Sequence, residues 1–401
     1  MSRRWLPAAL LLFGCGGEVD RAPGNGSAPC TGPHWRRVLA PPGAGDRALH
    51  QAAAWGPDQI EVWGGLRYDD PQAGALRPLV SGWHVSSGGE VLPIPTAGAP
   101  SPRGSEALGI LGNRMLVWGG GEQNGDLFGD GAQLDLTTDT WSPMAAPAQL
   151  APRHSAVAGR AGSALLIWGG YGGDTTGTWS GVFGDGALYE PTAGVWKKLG
   201  GDPLELEAWS YHTAVAQAGE HVAVLTESAA GAQIYYFLPD EQRWFAASTA
   251  GGPSSRSGAV MVYLSAIQEL LVWGGYGDNV SNDGARYSLL TDSWKPISTA
   301  GAPSARSQAY AAALGTPGLG ARVVVWGGSP NDQFGSTNTG GIYDVATDTW
   351  TPLPPDECRP PALNSATFTA FGNGRQALLW GGSSDEDLTA PEEGWLFTLE
   401  P

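Results

Sequence analysis

The stretch LLVWGG at Leu270–Gly275 is one of six near-copies along the chain. The others are EVWGG at Glu61–Gly65, LVWGG at Leu116–Gly120, LIWGG at Leu166–Gly170, VVWGG at Val324–Gly328 and LLWGG at Leu378–Gly382. Their tryptophans stand at 63, 118, 168, 273, 326 and 380, so successive copies lie 50 to 55 residues apart, save for one gap of 105. A gap of twice the period predicts a seventh, degenerate copy near residue 225. The strand-like run His221–Thr226 lies there, with no glycine pair after it. Seven copies of about 50 residues indicate radial repetition.

Further landmarks recur within each copy. An arginine followed by small and apolar residues precedes the Trp-Gly-Gly strand: Arg47, Arg103, Arg153, Arg256 and Arg306. A later strand such as Gly284–Ser288 leads into polar turns of the type Thr137-Thr138-Asp139-Thr140 or Thr347-Asp348-Thr349. A second tryptophan follows, at 141, 196, 244, 294 and 350. Four short strands bounded by turn residues make one propeller blade. Such a sheet cannot cover both of its faces, so its neighbours must. A tryptophan at a fixed place in each blade fills the wedge between sheets. Each buries roughly 150–250 Å², a few kcal/mol at about 25 cal/mol/Å². The glycine pair lets the backbone turn sharply where a Cβ would not fit.

The repeat resembles the kelch family over Trp35 to Pro401. Two copies depart from that pattern: the fourth has Thr226-Glu227 in place of the glycine pair, and the first has Val91 in place of the second tryptophan. The resemblance implies an all-β, seven-bladed kelch-type propeller of four-stranded antiparallel blades. Gly394–Leu399 reads as a third strand with nothing after it, whereas Trp35–Leu39 matches the segments that begin with the second tryptophan. The N-terminal strand is therefore expected to complete the last blade and close the ring, which removes an exposed sheet edge.

Ligands of kelch domains commonly occupy the face around the central shaft, where the loops after the second and fourth strands open. By resemblance, the ligand-binding candidates are Arg47, Arg103, Arg153, Arg256 and Arg306, with Ser105, Ser155, Ser257 and Ser307 beside them. Blade 4 offers Trp209, Tyr211 and His212 instead, and blade 7 offers Asn364. A ring of guanidinium groups could fork onto the carboxylates of an acidic peptide or sugar. The same groups could equally bond backbone carbonyls and hold blades together. Loop aromatics Phe128, Trp179, Phe183 and Phe334 could stack on a sugar or pack on a partner, or fold back on their own blades. The repeated Phe-Gly-Asp-Gly-Ala at Phe128 and Phe183 reads as the approach to the third strand; it lacks the alternating acids of a calcium loop.

Chemistry beyond binding has thinner support. His50, Glu106 and His212 fall in one column of the repeat and could form an acid–base set, as in sugar epimerases on kelch propellers. The copper oxidases of this fold need two Tyr, two His and a Cys–Tyr crosslink, and neither Cys30 nor Cys358 sits in a suitable strand. No zinc signature, phosphate loop or nucleophile elbow is present, so no metal or cofactor is expected.

A net charge of −17 disfavours a nucleic-acid partner. The 18 tryptophans among 42% hydrophobic residues exclude a disordered chain. At the N-terminus, Arg3 and Arg4 precede an apolar run, Trp5–Phe13, too short to span a bilayer. Leu12-Phe13-Gly14-Cys15 resembles the lipobox of bacterial lipoproteins, which implies lipid attachment at Cys15. The expected organisation is a signal peptide at 1–14, a lipidated cysteine and Gly/Pro/Ala/Ser-rich tether at 15–34, and the propeller at 35–401. An exported chain would allow a Cys30–Cys358 disulfide near the ring closure, the alternative being two free thiols. The expected protein is a monomeric binder of a protein or glycan in the cell envelope, as an outer-membrane lipoprotein or a periplasmic or extracellular one. The rival expectation is a carbohydrate-active enzyme.

Overall fold

The structure is a computed structural model. It describes residues 33–42, 44–70, 75–122, 126–147, 150–173, 179–200, 214–316, 320–330, 335–353, 359–384, 391 and 393–399. Cys15, Cys30, Cys358, Trp209, Tyr211, His212 and Phe334 lie outside the described residues, as do the signal segment and most of the tether.

Seven four-stranded antiparallel sheets form the blades. In each, the first strand is innermost and the fourth outermost. Blade 1 runs Gln51–Trp55, Gln59–Trp63, Gly82–Ser86, Val91–Pro93, and blade 2 runs Ala107–Leu111, Arg114–Trp118, Gly131–Asp135, Thr140–Pro143. Blade 3 is Val157–Ala161, Ala164–Trp168, Gly186–Glu190, Val195–Lys198, and blade 4 is Ala214–Ala218, His221–Ser228, Gly231–Leu238, Arg243–Ala246. Blade 5 is Val260–Leu264, Glu269–Trp273, Gly284–Ser288, Ser293–Pro296, and blade 6 is Tyr310–Thr316, Gly320–Trp326, Gly340–Asp344, Thr349–Pro352. Blade 7 joins Thr367–Ala370, Gln376–Trp380 and Glu393–Thr398 to the N-terminal strand His34–Leu39. That last pairing sets Trp35 opposite Phe397 and Val38 opposite Gly394, and so the ring closes with the N-terminal strand. The first strand of blade 7 also touches the first strand of blade 1.

Burial follows from radial position. Second strands are covered on both faces, and their apolar runs, such as LLVW and VVVW, are buried without alternation. Fourth strands face outward and bury little beyond their tryptophan, as in Thr140–Pro143 and Thr349–Pro352.

The six Trp-Gly-Gly tryptophans are at most 2% exposed. Each of five packs against the fourth-strand tryptophan of the next blade: Trp63 on Trp141, Trp118 on Trp196, Trp168 on Trp244, Trp273 on Trp350 and Trp326 on Trp35, with ring centroids 4.6–6.0 Å apart. Trp380 meets the aliphatic Val91 of blade 1 in the same core. The two glycines take φ of +63 to +70° and +86 to +101°. A Cβ on the first would collide with the carbonyl of the next blade's arginine, as Gly119 would with Arg153 and Gly274 with Arg306.

Blade 4 pairs Ala214 with Leu225 as blade 1 pairs Gln51 with Trp63. Leu225 thus stands in the tryptophan column. The expected equivalence of His50 and His212 falls outside the described residues.

Candidate functional site: the mouth of the shaft

The loops before the first strand and after the Trp-Gly-Gly segment meet on one face. There a cavity of about 810 Å³ opens, lined from all seven blades. Its rim is a set of left-handed backbone positions two residues past each arginine. Leu49, Ser105, Ser155 and Gln308, together with Ser365 of blade 7, have φ of 53 to 56°. Their backbones bond blade to blade, Ser105 N–H to Leu49 O at 3.0 Å and Ser155 N–H to Ser105 O at 2.8 Å. Nothing in the sequence marks this rim. Only main-chain groups make it, so the column holds Leu, Ser, Gly and Gln alike.

The five arginines lie beneath the rim, at most 2% exposed, and none lines the cavity. In each, Nη1 donates at 2.9–3.0 Å to the carbonyl of the first glycine of its own blade, Gly64, Gly119, Gly169, Gly274 or Gly327. It also reaches the carbonyl just before the third strand, at 2.8–3.4 Å. Asp130, Asp185 and Asp283 add ion pairs at 2.7–3.0 Å. Phe128 and Phe183 fold back under Arg103 and Arg153, 4.2 and 4.0 Å from the guanidinium carbon. The arginine carbonyls link blades: Gly65, Gly120, Gly275 and Gly382 donate to Arg103, Arg153, Arg306 and Arg47 of the following blade at 2.8–3.0 Å. Desolvation pulls Arg47 and Arg306 down to about 10, so they remain charged at neutral pH.

Of the serines, Ser105 and Ser155 line the cavity, while Ser257 and Ser307 bridge to Tyr276 and Ser329 through their backbones. Asn364 lines the cavity too. Trp179 begins the return strand Trp179–Val182 of a hairpin with Tyr171–Gly173. Tyr171, from the base of that hairpin, stacks on His154 at 5.6 Å and 18° between planes, and both line the mouth. Sequence reading did not single out this pair; His154 follows Arg153 directly and Tyr171 follows the glycine pair, which was the available signal.

Two charged-type residues share the column just before the first strand. His50 is buried and its Nε2 lies 2.9 Å from Thr367 Oγ1 of blade 7. Desolvation, then the Arg47 charge, lowers its pKa to about 3, so it is neutral. Glu106 lines the cavity but is 2% exposed, folded against Gly64 of blade 1. Neither carboxyl oxygen has a hydrogen-bond partner on another residue. Burial raises its pKa to about 8, against the weaker pull of Arg103 and Arg47. His154 is pushed down by burial.

This arrangement is a closed seven-bladed propeller with a polar shaft mouth whose cations are sealed into its walls. Residues 211–400 match the family model described as the KLHDC2/KLHL20/DRC7 Kelch-repeats domain, and the seven-bladed β-propeller fold extends over the rest of the described chain. No curated protein matches the chain in sequence. Among solved structures it is similar to a fungal alcohol oxidase of the AA5 family, in complex with copper. The TM-score is 0.66 at 15% identity, covering 92% of this chain and 77% of that one. A likeness at that identity speaks for the fold alone. Among the described residues no group of three or more His, Cys, Asp or Glu side chains is placed to hold a metal ion.

Proposed function

We propose that this propeller is a non-enzymatic binding protein of the cell envelope, and that a protein or glycan ligand enters the shaft mouth. The observation that carries this reading is the composition of the mouth. Hydroxyl, amide and aromatic side chains from five of the seven blades converge on one cavity: Gln51, Ser105, Ser155, Tyr171, Gln308 and Asn364 among them. Such a lining suits recognition by hydrogen bonds and stacking. The rival reading, a carbohydrate-active enzyme, calls for paired acid–base groups near the shaft. The described lining supplies one carboxyl, Glu106, and one imidazole, His154, and His50 is buried away from it.

The test fills the mouth. Ser155 and Ser365 have the same left-handed backbone as Gln308, so Ser155→Gln with Ser365→Gln adds bulk at a conformation that already accepts glutamine. Wild-type and filled chains are compared against a glycan array and envelope protein extracts. Hits that disappear in the filled, still-folded chain support the reading; hits that persist overturn it. Export and anchoring belong to the same proposal. Replacing Cys15 with Ala should move the chain from the membrane fraction to the soluble fraction and abolish labelling by a tagged fatty acid. Labelling that survives the change would overturn the anchor.

A further inference from the structure

The mouth contains an ionisable group without a partner. At the position just before the first strand, blades 3, 5, 6 and 7 carry Ala156, Ala259, Ala309 and Ala366, and blade 2 carries Glu106. The carboxyl is shielded from solvent, and no other residue bonds either oxygen. A buried carboxyl left in that state costs several kcal/mol relative to a satisfied one, and alanine at the equivalent positions shows that the fold does not require it. Among the described residues no lysine or arginine lines the cavity: the five arginines are committed to carbonyls of their own blades, three of them also to an aspartate. The one imidazole in the described lining is that of His154, which burial pushes toward the neutral form; the remaining lining is hydroxyl, amide, aromatic, thioether or aliphatic. The net charge of −17 attracts cations to the chain and repels anions.

We propose that Glu106 is the anchor for one basic group of a protein ligand, an ammonium or guanidinium that enters the mouth and becomes the missing partner of its carboxylate. This rests on the mouth being the binding site. Engagement turns the carboxyl from Gly64 into the cavity, where the hydroxyls of Ser105 and Ser155 and the amide oxygen of Gln51 can complete the shell around the incoming cation. Acidic ligands, which an arginine ring would have favoured, are excluded, since the guanidinium groups are not presented.

The experiment is saturation-transfer NMR on the chain with three capped tripeptides, acetyl-Gly-X-Gly-amide with X = Lys, Gln or Asp. The Lys probe should receive transfer and the Asp probe none. Glu106→Gln and Glu106→Ala should each reduce Lys binding at least about tenfold. The alanine form is safe for folding because four blades already have alanine there, and its melting curve checks this. No transfer to the Lys probe, or equal transfer to Asp, overturns the proposal. Lys binding that survives Glu106→Ala but is lost in the Ser155→Gln, Ser365→Gln chain removes the anchor and keeps the mouth. Lys binding that survives the filled mouth removes both.

Discussion

At the residue scale, a guanidinium buried to about 1% exposure must be bonded in every direction it points. Arg306 meets this with Ser304 O, Gly327 O and Thr339 O at 2.8–2.9 Å and the hydroxyls of Ser304 and Thr339 at 2.9 and 3.1 Å. Lysine cannot reproduce that fork. Arg306→Lys should therefore cost about 3–5 kcal/mol by leaving buried carbonyls unpaired, read from the shift of a urea melt, while Gln308→Ser on the rim should shift it by under about 1 kcal/mol. Glu106 gives a pH prediction. Its folded pKa of about 8 stands above the ordinary carboxyl value of 4.5. Between those values the unfolded chain has released the proton and the folded chain retains it, so stability falls as pH rises through this window, by at most about 1.4 kcal/mol per pH unit. His50 acts in the opposite sense at lower pH. Its folded pKa is about 3 against 6.5, so its contribution is present above 6.5 and is lost as pH falls toward 3. Glu106→Gln should raise stability at pH 8 by a few kcal/mol and leave it nearly unchanged at pH 4.5. Parallel melts that show no difference between the two pH values would sink the assignment.

At the scale of the element, the fourth strands of blades 2, 5 and 6 are stitched to the preceding blade at a spacing near the repeat itself. Trp350 Nε1 donates to Ser298 O, Trp294 Nε1 to Ser248 O and Trp141 Nε1 to Pro95 O, at 2.6–2.9 Å. The turn aspartates do the same from the other side of the strand. Asp348 accepts from Tyr343 Oη at 2.6 Å within its blade and from Ser298 N–H at 2.9 Å across the boundary, and Asp292 repeats this with Tyr287 and Ser248. Asp139 instead lies 3.4 Å from His84, which is clasped to Glu61 at 2.6 Å. Two substitutions separate packing from bonding. Trp350→Phe keeps most of the wedge and loses the indole bond, a cost of about 1 kcal/mol. Trp350→Ala also opens a cavity against Trp273 and should cost about 3–5 kcal/mol. Equal losses in denaturant melts would mean that the packing contributes nothing.

The elements were legible because two of these devices need fixed residue types at a fixed period: an indole that fills a wedge, and glycines at positive φ against a neighbour's carbonyl. What the arginines do was not legible, since a sequence shows the donor and hides its acceptors, here backbone carbonyls 16 to 34 residues downstream. The register of blade 4 is less legible for a related reason. That blade lacks both the arginine and the glycine pair, and the two go together because the arginine's principal acceptor is the first glycine's carbonyl. Without the glycine pair the arginine loses that acceptor, and the landmarks that fix the register are absent. Blade 7 keeps its glycines and has Leu363 three residues before Ala366, in the arginine column, buried to 1%, so its packing there is aliphatic.

At the scale of the whole molecule, the ring is only as cooperative as its closure. Six blades are continuous in sequence, whereas blade 7 takes its outer strand from the other end of the chain, with six pairs from His34–Thr398 to Leu39–Glu393. That strand carries two core residues. Trp35 lies 6.0 Å from Trp326 of blade 6 and 5.0 Å from Phe397 within its own blade. Val38 is fully buried with Trp380, Ile60 and Val62 in the core shared by blades 7 and 1. The closing strand therefore seals both neighbouring boundaries, one with each face, and its side chains alternate between them as strand geometry requires. Putting a charge at either place leaves it buried without a partner. Val38→Asp should open the boundary of blades 7 and 1, and Trp35→Ala the boundary of blades 6 and 7. In native-state hydrogen exchange, the amides of Gln59–Trp63 and Gln376–Trp380 should lose protection first in Val38→Asp, and those of Gly320–Trp326 in Trp35→Ala. The second strands of blades 2 and 3, which adjoin neither boundary, should keep theirs in both until the chain unfolds. Protection lost evenly around the ring in either variant would instead mean that the propeller unfolds as one unit, with no weaker joint at the place where its two ends meet.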